Sequence, residues 1–206
     1  LWLDCFDPHA PYDPRFPPYG GMYGSWVEGV LWIEGEVGDY PEDVVRQARA
    51  NYAGEVSLVD EWVGTFMEKV EDLGILDETL IIYLSDHGEP LGEHGIITKA
   101  RPLPYEELCH IPLVIRHPDG EGRGRRSSAF VQTPDVMPTI LDFLGVEAPK
   151  TVQGRTLLPL VRGEEEGLRD FAVAGHYRRT WSIRDREWSL YLWLSERHTL
   201  KTGPEL

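Results

Sequence analysis

A carboxylate, an imidazole and a glycine stand together at Asp86-His87-Gly88, closing the apolar run Leu80-Ile81-Ile82-Tyr83-Leu84. Asp and His both ligate divalent cations, and Gly88 lets the chain turn straight after them. In an open α/β protein the carboxyl ends of the strands form the rim where ligands collect. Neighbours on a continuing strand point to opposite faces. Asp86 and His87 therefore serve one ion only if the strand stops before them. Taken alone, Asp-His-Gly is equally the signature of a charged strand-to-loop corner. Lys99 follows in a loop, and His9 sits in Pro8-His9-Ala10-Pro11. By residue type these two read as a solvated lysine and a loop histidine.

Stepping out from those residues, 206 positions suffice for one substantial core or a core with a small appendage. The net charge of -15 argues against a nucleic-acid backbone as the partner. It leaves room for a small anionic substrate, because a cation and a few basic side chains reverse the field inside one cleft. No apolar run approaches the roughly 20 residues that span a bilayer. Cys5 and Cys109 make no disulfide framework and are expected to be small buried thiols. The chain opens without Met in Leu1-Trp2-Leu3-Asp4-Cys5-Phe6, which reads as a strand, and stops at Gly203-Pro204-Glu205-Leu206. It is expected to be a piece of a longer protein, with localisation left open.

Between the first strand and residue 39 runs a loop rich in Pro, Gly and aromatics, including Trp26 and Trp32, expected to pack as a rim over the site. Pro41 should open a helix at its first position, with Asp39 as a possible cap. Its apolar face runs through Val44, Val45, Ala48, Tyr52, Val56, Val59, Trp62, Val63, Phe66, Met67, Val70 and Leu73 to a stop at Gly74, with Gly54 and Gly64 as possible bends. Residues 80–85 are the next strand, so helix packs on strand in the α/β manner. Residues 87–104 read as an active-site loop. Strands are expected at Pro112–Arg116 and Ala129–Val131, and a helix after Thr133-Pro134-Asp135 ending at Gly145. Phe171–Gly175, Thr180–Arg184 and Trp188–Leu194 read as a small antiparallel C-terminal sheet. Its Trp and Tyr residues are read as packing faces. Gly120-Glu121-Gly122-Arg123-Gly124 lacks a following helix and reads as a surface hairpin.

These motifs resemble, in order, those of the sulfatases of the alkaline phosphatase superfamily. The resemblance is carried by Phe6-Asp7-Pro8-His9-Ala10-Pro11-Tyr12, Ser85-Asp86-His87-Gly88, Leu91-Gly92-Glu93-His94-Gly95 with Lys99, and Tyr105-Glu106-Glu107 with Ile111-Pro112-Leu113. It continues through Pro134-Asp135-Val136-Met137-Pro138-Thr139 and Gly154-Arg155-Thr156-Leu157, where the family has Ser for Thr156. It covers about residues 1–163 and, more loosely, the remainder. The resemblance implies an α/β, alkaline-phosphatase-like sandwich with a mixed sheet, incomplete, plus the C-terminal antiparallel sheet. It sets residues 1–165 as the C-terminal part of the core and 166–206 as the appendage.

By the same resemblance Asp86 and His87 are two ligands of a divalent cation, calcium first, with manganese or magnesium as alternatives. Lys99 touches the transferred group and the leaving oxygen; His9 contacts the ester oxygen and can donate a proton. The implied substrate is a small organic sulfate ester. The Asp-His form, where many sulfatases have Asp-Asn, resembles iduronate-type sulfatases and phosphonate monoester hydrolases, so a phosphonate monoester or phosphodiester hydrolase stays open. So does a non-catalytic sulfatase-like binding module. The family nucleophile, a formylglycine made in Cys-X-Pro-X-Arg or its Ser form, has no counterpart here: Cys5 precedes Phe6-Asp7 and Cys109 precedes His110-Ile111. It is expected in the missing N-terminal part with the remaining ligands, so this piece alone should be inactive. His94 is either a supporting or substrate-contacting residue or a loop hydrogen-bonder. Arg101 is not carried forward, and His110, His117, His176 and His198 read as structural or surface residues.

Overall fold

Thirty-one residues without a proline, Glu42–Asp72, form the longest element, helix α1. The computed structural model describes residues 1–13, 18–24, 32–99 and 103–194. Arg101, His198, Trp26 and the chain end at 203–206 lie outside the described residues. The chain divides into two compact units, Leu1–Ile75 with Glu89–Arg101 and Leu76–Gly88 with Pro102–Leu206. Among the described residues no helix is long and apolar enough to cross a membrane.

In the first unit α1 starts one residue later than its sequence suggests. Pro41 has φ −58 and ψ 147, an extended backbone, so it is the cap and Glu42 the first helical residue. Asp39 caps nothing; it closes a single 3₁₀ turn, Val37–Asp39. Neither Gly54 nor Gly64 interrupts the helix. Its apolar face is only partly covered: Val45, Ala48 and Val70 are buried, whereas Val56, Trp62 and Leu73 are exposed. The buried surface includes a polar stripe, Gln47, Asn51 and Glu55, at four-residue spacing. Strand β1 (Gly35–Glu36) pairs antiparallel with β3 (Ile96–Ile97) in the register Gly35↔Ile97. Ile33, Val45, Ala48 and Ile97 form the core beneath them. Within the segment read as a loop, residues 90–98 are thus more ordered than that: Gly92 N donates to Ile96 O at 2.8 Å and Thr98 N to Pro90 O at 2.8 Å, closing a hairpin. Leu1–Phe6 form no strand. They have no ladder partner among the described residues, and Leu1, Trp2, Leu3 and Phe6 lie exposed. Cys5 is likewise exposed, not buried.

In the second unit β2 (Ile81–Leu84) pairs antiparallel with β4 (Leu113–Arg116), Leu84 facing Leu113. The short helix α2 (Glu106–Cys109) lies between them in sequence. Burial pushes the Cys109 thiol up to about 11. Ala129–Val131 is not a strand. These residues pack Ala129 and Val131 against the core of Leu157, Leu160 and Leu168 without joining a ladder. Helices α3 (Val136–Phe143) and α4 (Leu158–Arg162) follow. Strands β5 (Ala172–His176), β6 (Thr180–Arg184) and β7 (Ser189–Trp193) form the C-terminal antiparallel sheet, in order. Its aromatics divide: Tyr191 packs edge-on to Tyr105 with ring centroids 5.2 Å apart, whereas Tyr177, Trp181 and Trp188 are exposed.

Asp135 ties three segments of this unit together. It is fully buried and accepts from Gln132 N at 2.8 Å, Arg155 N at 2.9 Å and both terminal nitrogens of Arg169 at 2.5 and 2.7 Å. A Cβ on Gly154 would fall 1.9 Å from Pro134 O, so glycine is required where this stretch of chain passes the 3₁₀ turn Thr133–Asp135 that precedes α3. Burial alone would raise the Asp135 pKa; the Arg169 and backbone hydrogen bonds outweigh it and hold the carboxyl below its usual range. A depressed carboxyl contributes stability that is complete above the unfolded value near ~4 and fades as pH falls through the folded one. Asp135→Asn should therefore cost about 3 kcal/mol at neutral pH and flatten the acid limb of stability, as read by urea unfolding across pH. An unchanged midpoint at pH 7 would refute this.

Candidate active site

Strand β2 ends at Leu84, and Ser85-Asp86-His87-Gly88 turns away from it. Three hydrogen bonds fix the turn. Ser85 Oγ donates to His87 O at 2.5 Å, His87 N donates to Asp86 Oδ1 at 2.9 Å, and Gly88 N donates to Leu108 O at 2.8 Å. Glycine is obligatory here for space: a Cβ on residue 88 would lie 2.0 Å from Glu107 O. A carbonyl only accepts, so His87 Nδ1, 2.8 Å from Gly88 O, carries the proton. That leaves Nε2 as the lone-pair atom, 3.6 Å from Asp86 Oδ2. Two ligand atoms so spaced, each about 2.3 Å from one ion, subtend about 100° at it, an ordinary angle between neighbouring ligands of a hard cation. The Asp86 carboxylate is exposed and His87 is two-thirds covered, at 88% and 33% side-chain exposure. The pair fits a divalent cation as two of its ligands. Among the described residues no group of three or more acidic, His or Cys side chains assembles a complete site.

His9 and Lys99 meet in the first unit. Lys99 Nζ lies 3.0 Å from His9 Nε2, and His9 Nδ1 lies 2.6 Å from Ala10 O. An ammonium only donates and a carbonyl only accepts, so Nε2 accepts from Lys99 and Nδ1 carries the ring proton. The segment bearing His9 is anchored on α1. Asn51 Nδ2 donates to Tyr12 O at 3.4 Å, Gln47 Nε2 to Asn51 Oδ1 at 2.6 Å, and Asp13 N to Glu55 Oε1 at 2.7 Å. Tyr12 is fully buried and donates to Glu89 Oε1 at 3.0 Å; burial, then Glu89, pushes its phenol far above the usual tyrosine range, so it stays a donor. Burial raises the Glu55 carboxyl as well, with Asp13 N opposing. An apolar-periodicity search overlooks Gln47, Asn51 and Glu55; their own four-residue spacing is the signal that would find them.

Two pairs of expected site residues are thus brought together, His9 with Lys99 in one unit and Asp86 with His87 in the other. His94 is exposed at the tip of the 90–98 hairpin with φ 52, while Glu93 Oε2 accepts from Leu91 N at 2.7 Å. His117 is buried, edge-on to Phe143, as a structural histidine should be. His110 pairs with Glu106 at 2.6 Å on the surface of α2. The segment 120–124, expected as a surface hairpin, is an exposed run of turns with left-handed Gly120, Gly122 and Gly124; it is no hairpin, because Ala129–Val131 forms no strand to pair with β4. Adding one carbon at Gly88 tests the turn: Gly88→Ala should lower stability by roughly 1–3 kcal/mol, because Glu107 O must move and the bond to Leu108 lengthens. Thermal unfolding measures it, and an unchanged Tm would show that α2 does not hold the turn.

Comparison with known proteins adds a second line of evidence. The Sulfatase family matches residues 5–146. The N-acetylglucosamine-6-O-sulfatase of Bacteroides thetaiotaomicron is 40% identical over 132 residues, 64% of this chain and 23% of that protein. The multifunctional alkaline phosphatase superfamily protein PehA of Trinickia caryophylli is 40% identical over 141 residues, 67% of this chain and 26% of that protein. Among solved structures, the phosphonate monoester hydrolase of Agrobacterium radiobacter superposes with a TM-score of 0.69 at 30% identity, covering 76% of this chain and 35% of that one. The complex of BT4656 with its substrate D-glucosamine-2-N,6-O-disulfate gives 0.66 at 36% identity, covering 74% and 33%. The chain spans about a quarter of the length of these two curated relatives. Its fold is the alkaline-phosphatase-like one of these structures. With an Asp-His turn, a lysine-histidine pair and a family match over most of its length, the chain belongs to the sulfatase family.

Proposed function

We propose that the full-length protein hydrolyses organic sulfate esters, with His9 and Lys99 acting on the ester and Asp86 and His87 serving as two ligands of a divalent cation. The observation that carries this reading is the 3.0 Å contact between Lys99 Nζ and His9 Nε2, residues 90 positions apart that the family motifs pair in function. Sulfate-ester hydrolysis breaks the S–O bond to the alcohol, moving negative charge onto the departing alkoxide and the non-bridging oxygens. A cation held by Asp86 and His87 would neutralise the non-bridging oxygens, a Lewis-acid role that suits a hard ion such as calcium, magnesium or manganese. The attacking oxygen is assigned to a formylglycine outside these 206 residues, as are the remaining metal ligands.

The chain's own part is proton and charge management. Lys99 places an ammonium beside the position of the leaving oxygen and stabilises the charge that develops there. His9, held by Ala10 O in the form with its proton on Nδ1, accepts from Lys99 at Nε2. It can pass a proton on through Nε2 only after taking one from Lys99. The pair is therefore read as a relay: the Lys99 ammonium stabilises the oxygen while the S–O bond breaks, and its proton then passes through His9 Nε2 to the alkoxide, leaving a neutral alcohol and a neutral lysine that solvent reprotonates.

A second reading has specific support: PehA and two phosphonate monoester hydrolases are among the relatives, and the Asp86-His87 form is the one that, by the family resemblance, phosphonate monoester hydrolases share. A phosphonate monoester hydrolase would use the same four residues on a related anion. Turnover of an aryl sulfate against an aryl phosphonate by the full-length protein decides between them, with the sulfate expected to be preferred. A sulfated glucosamine is the natural ester to test next, given the relatives named for that sugar. Lys99→Ala should lower kcat ~10²–10³-fold. Failure to turn over any of these esters, with function intact after Asp86→Ala, would favour a non-catalytic binding module.

A further inference from the structure

Thr98 breaks two local rules at once, immediately before Lys99. Its backbone sits in the left-handed region at φ 58, a conformation that β-branched residues avoid and that glycine or asparagine adopts readily. It is also 97% buried, and its Oγ1 has no hydrogen-bond partner among the described residues. Neither feature helps the fold. Such violations gather where position matters more than stability.

The register explains what the turn accomplishes. On a continuing strand, residues two apart share a face. Ile97 is buried at 1% exposure, so an extended chain through Thr98 would drive Lys99 toward the same buried side. Thr98 N is meanwhile fixed to Pro90 O at 2.8 Å, so the hairpin itself cannot swing. The left-handed residue breaks the alternation, and Lys99 emerges exposed with Nζ at His9 Nε2.

We propose that Thr98 is the positioning residue for Lys99: its left-handed backbone turns the chain out of β3 and delivers the amine to His9. This rests on the reading of Lys99 given above. The function required is of the backbone, not of the hydroxyl. Asparagine should replace threonine without loss, and proline, which is confined to negative φ and has no N–H for Pro90, should not.

The test is made in the full-length protein with an aryl sulfate. Thr98→Asn should keep kcat within about threefold. Thr98→Pro should lower kcat ~100-fold, and in a Lys99→Ala background it should cost nothing further, since both changes remove one interaction. A Thr98→Pro cost that adds in full to that of Lys99→Ala would overturn the proposal, as would a folded Thr98→Asn variant with lost turnover. Should Thr98→Pro not fold, the Thr98→Asn result decides alone. The imidazole ¹⁵N spectrum of His9 gives a readout independent of turnover: its Nδ1–H form with an acceptor Nε2 should persist in Thr98→Asn and change in Thr98→Pro. If no ester is hydrolysed, the hydrolase reading fails while this spectrum still decides whether Thr98 controls the pair; an unchanged spectrum in folded Thr98→Pro would overturn it.

Discussion

A single backbone hydrogen bond, Gly88 N to Leu108 O, stops β2 from running on and so permits everything assigned to its end. Had the strand continued, Asp86 and His87 would have pointed to opposite faces and could not have shared a ligand. The bond is available only because residue 88 lacks a side chain, which lets α2 approach to within a carbonyl's width. With the chain turned, the His87 ring donates to Gly88 O and presents its other nitrogen beside the Asp86 carboxylate. Chemistry at this corner follows from a steric fact about one glycine. The cost is a carboxylate held in the open, which a hard cation would neutralise.

The histidine-lysine pair is supported differently, by buried polar contacts on a helix. Gln47, Asn51 and Glu55 face inward from α1 and hold the backbone of Tyr12 and Asp13, which directly follow the cis-proline segment carrying His9. Apolar packing could bury this surface more cheaply, but it could not fix a loop's backbone by named donors and acceptors. The exposed half of α1, with Trp62 at its centre, takes no part in this. The same preference for polar fixation recurs at Asp135, where one buried carboxylate binds the caps and loops of three segments.

Much of this is legible in the sequence. The long helix, the strand before Asp86, the partner strand at 113–116 and the three C-terminal strands all follow from periodicity and turn residues. Strand pairing needs a partner, and that is where periodicity failed: Leu1–Phe6 and Ala129–Val131 carry strand-like sequence but join no ladder. Burial misled in the same way at Cys5, whose small apolar character says nothing about whether a neighbour covers it. The hairpin at 90–98 is hidden in the sequence because two-residue strands leave almost no periodic trace. At the site, residue types and motif order named His9, Lys99, Asp86 and His87. Which atom of each imidazole carries its proton, and the roles of Thr98 and the Gln47–Glu55 stripe, required geometry.

Cation binding at the Asp86–His87 corner is the claim on which the hydrolase account turns. Crystals of the full-length protein soaked in Mn²⁺ and recorded at the manganese absorption edge test it most directly. The account predicts an anomalous peak about 2.0–2.4 Å from both Asp86 Oδ2 and His87 Nε2. A fully occupied manganese site elsewhere in the molecule, with neither atom bonded to it, would contradict the account.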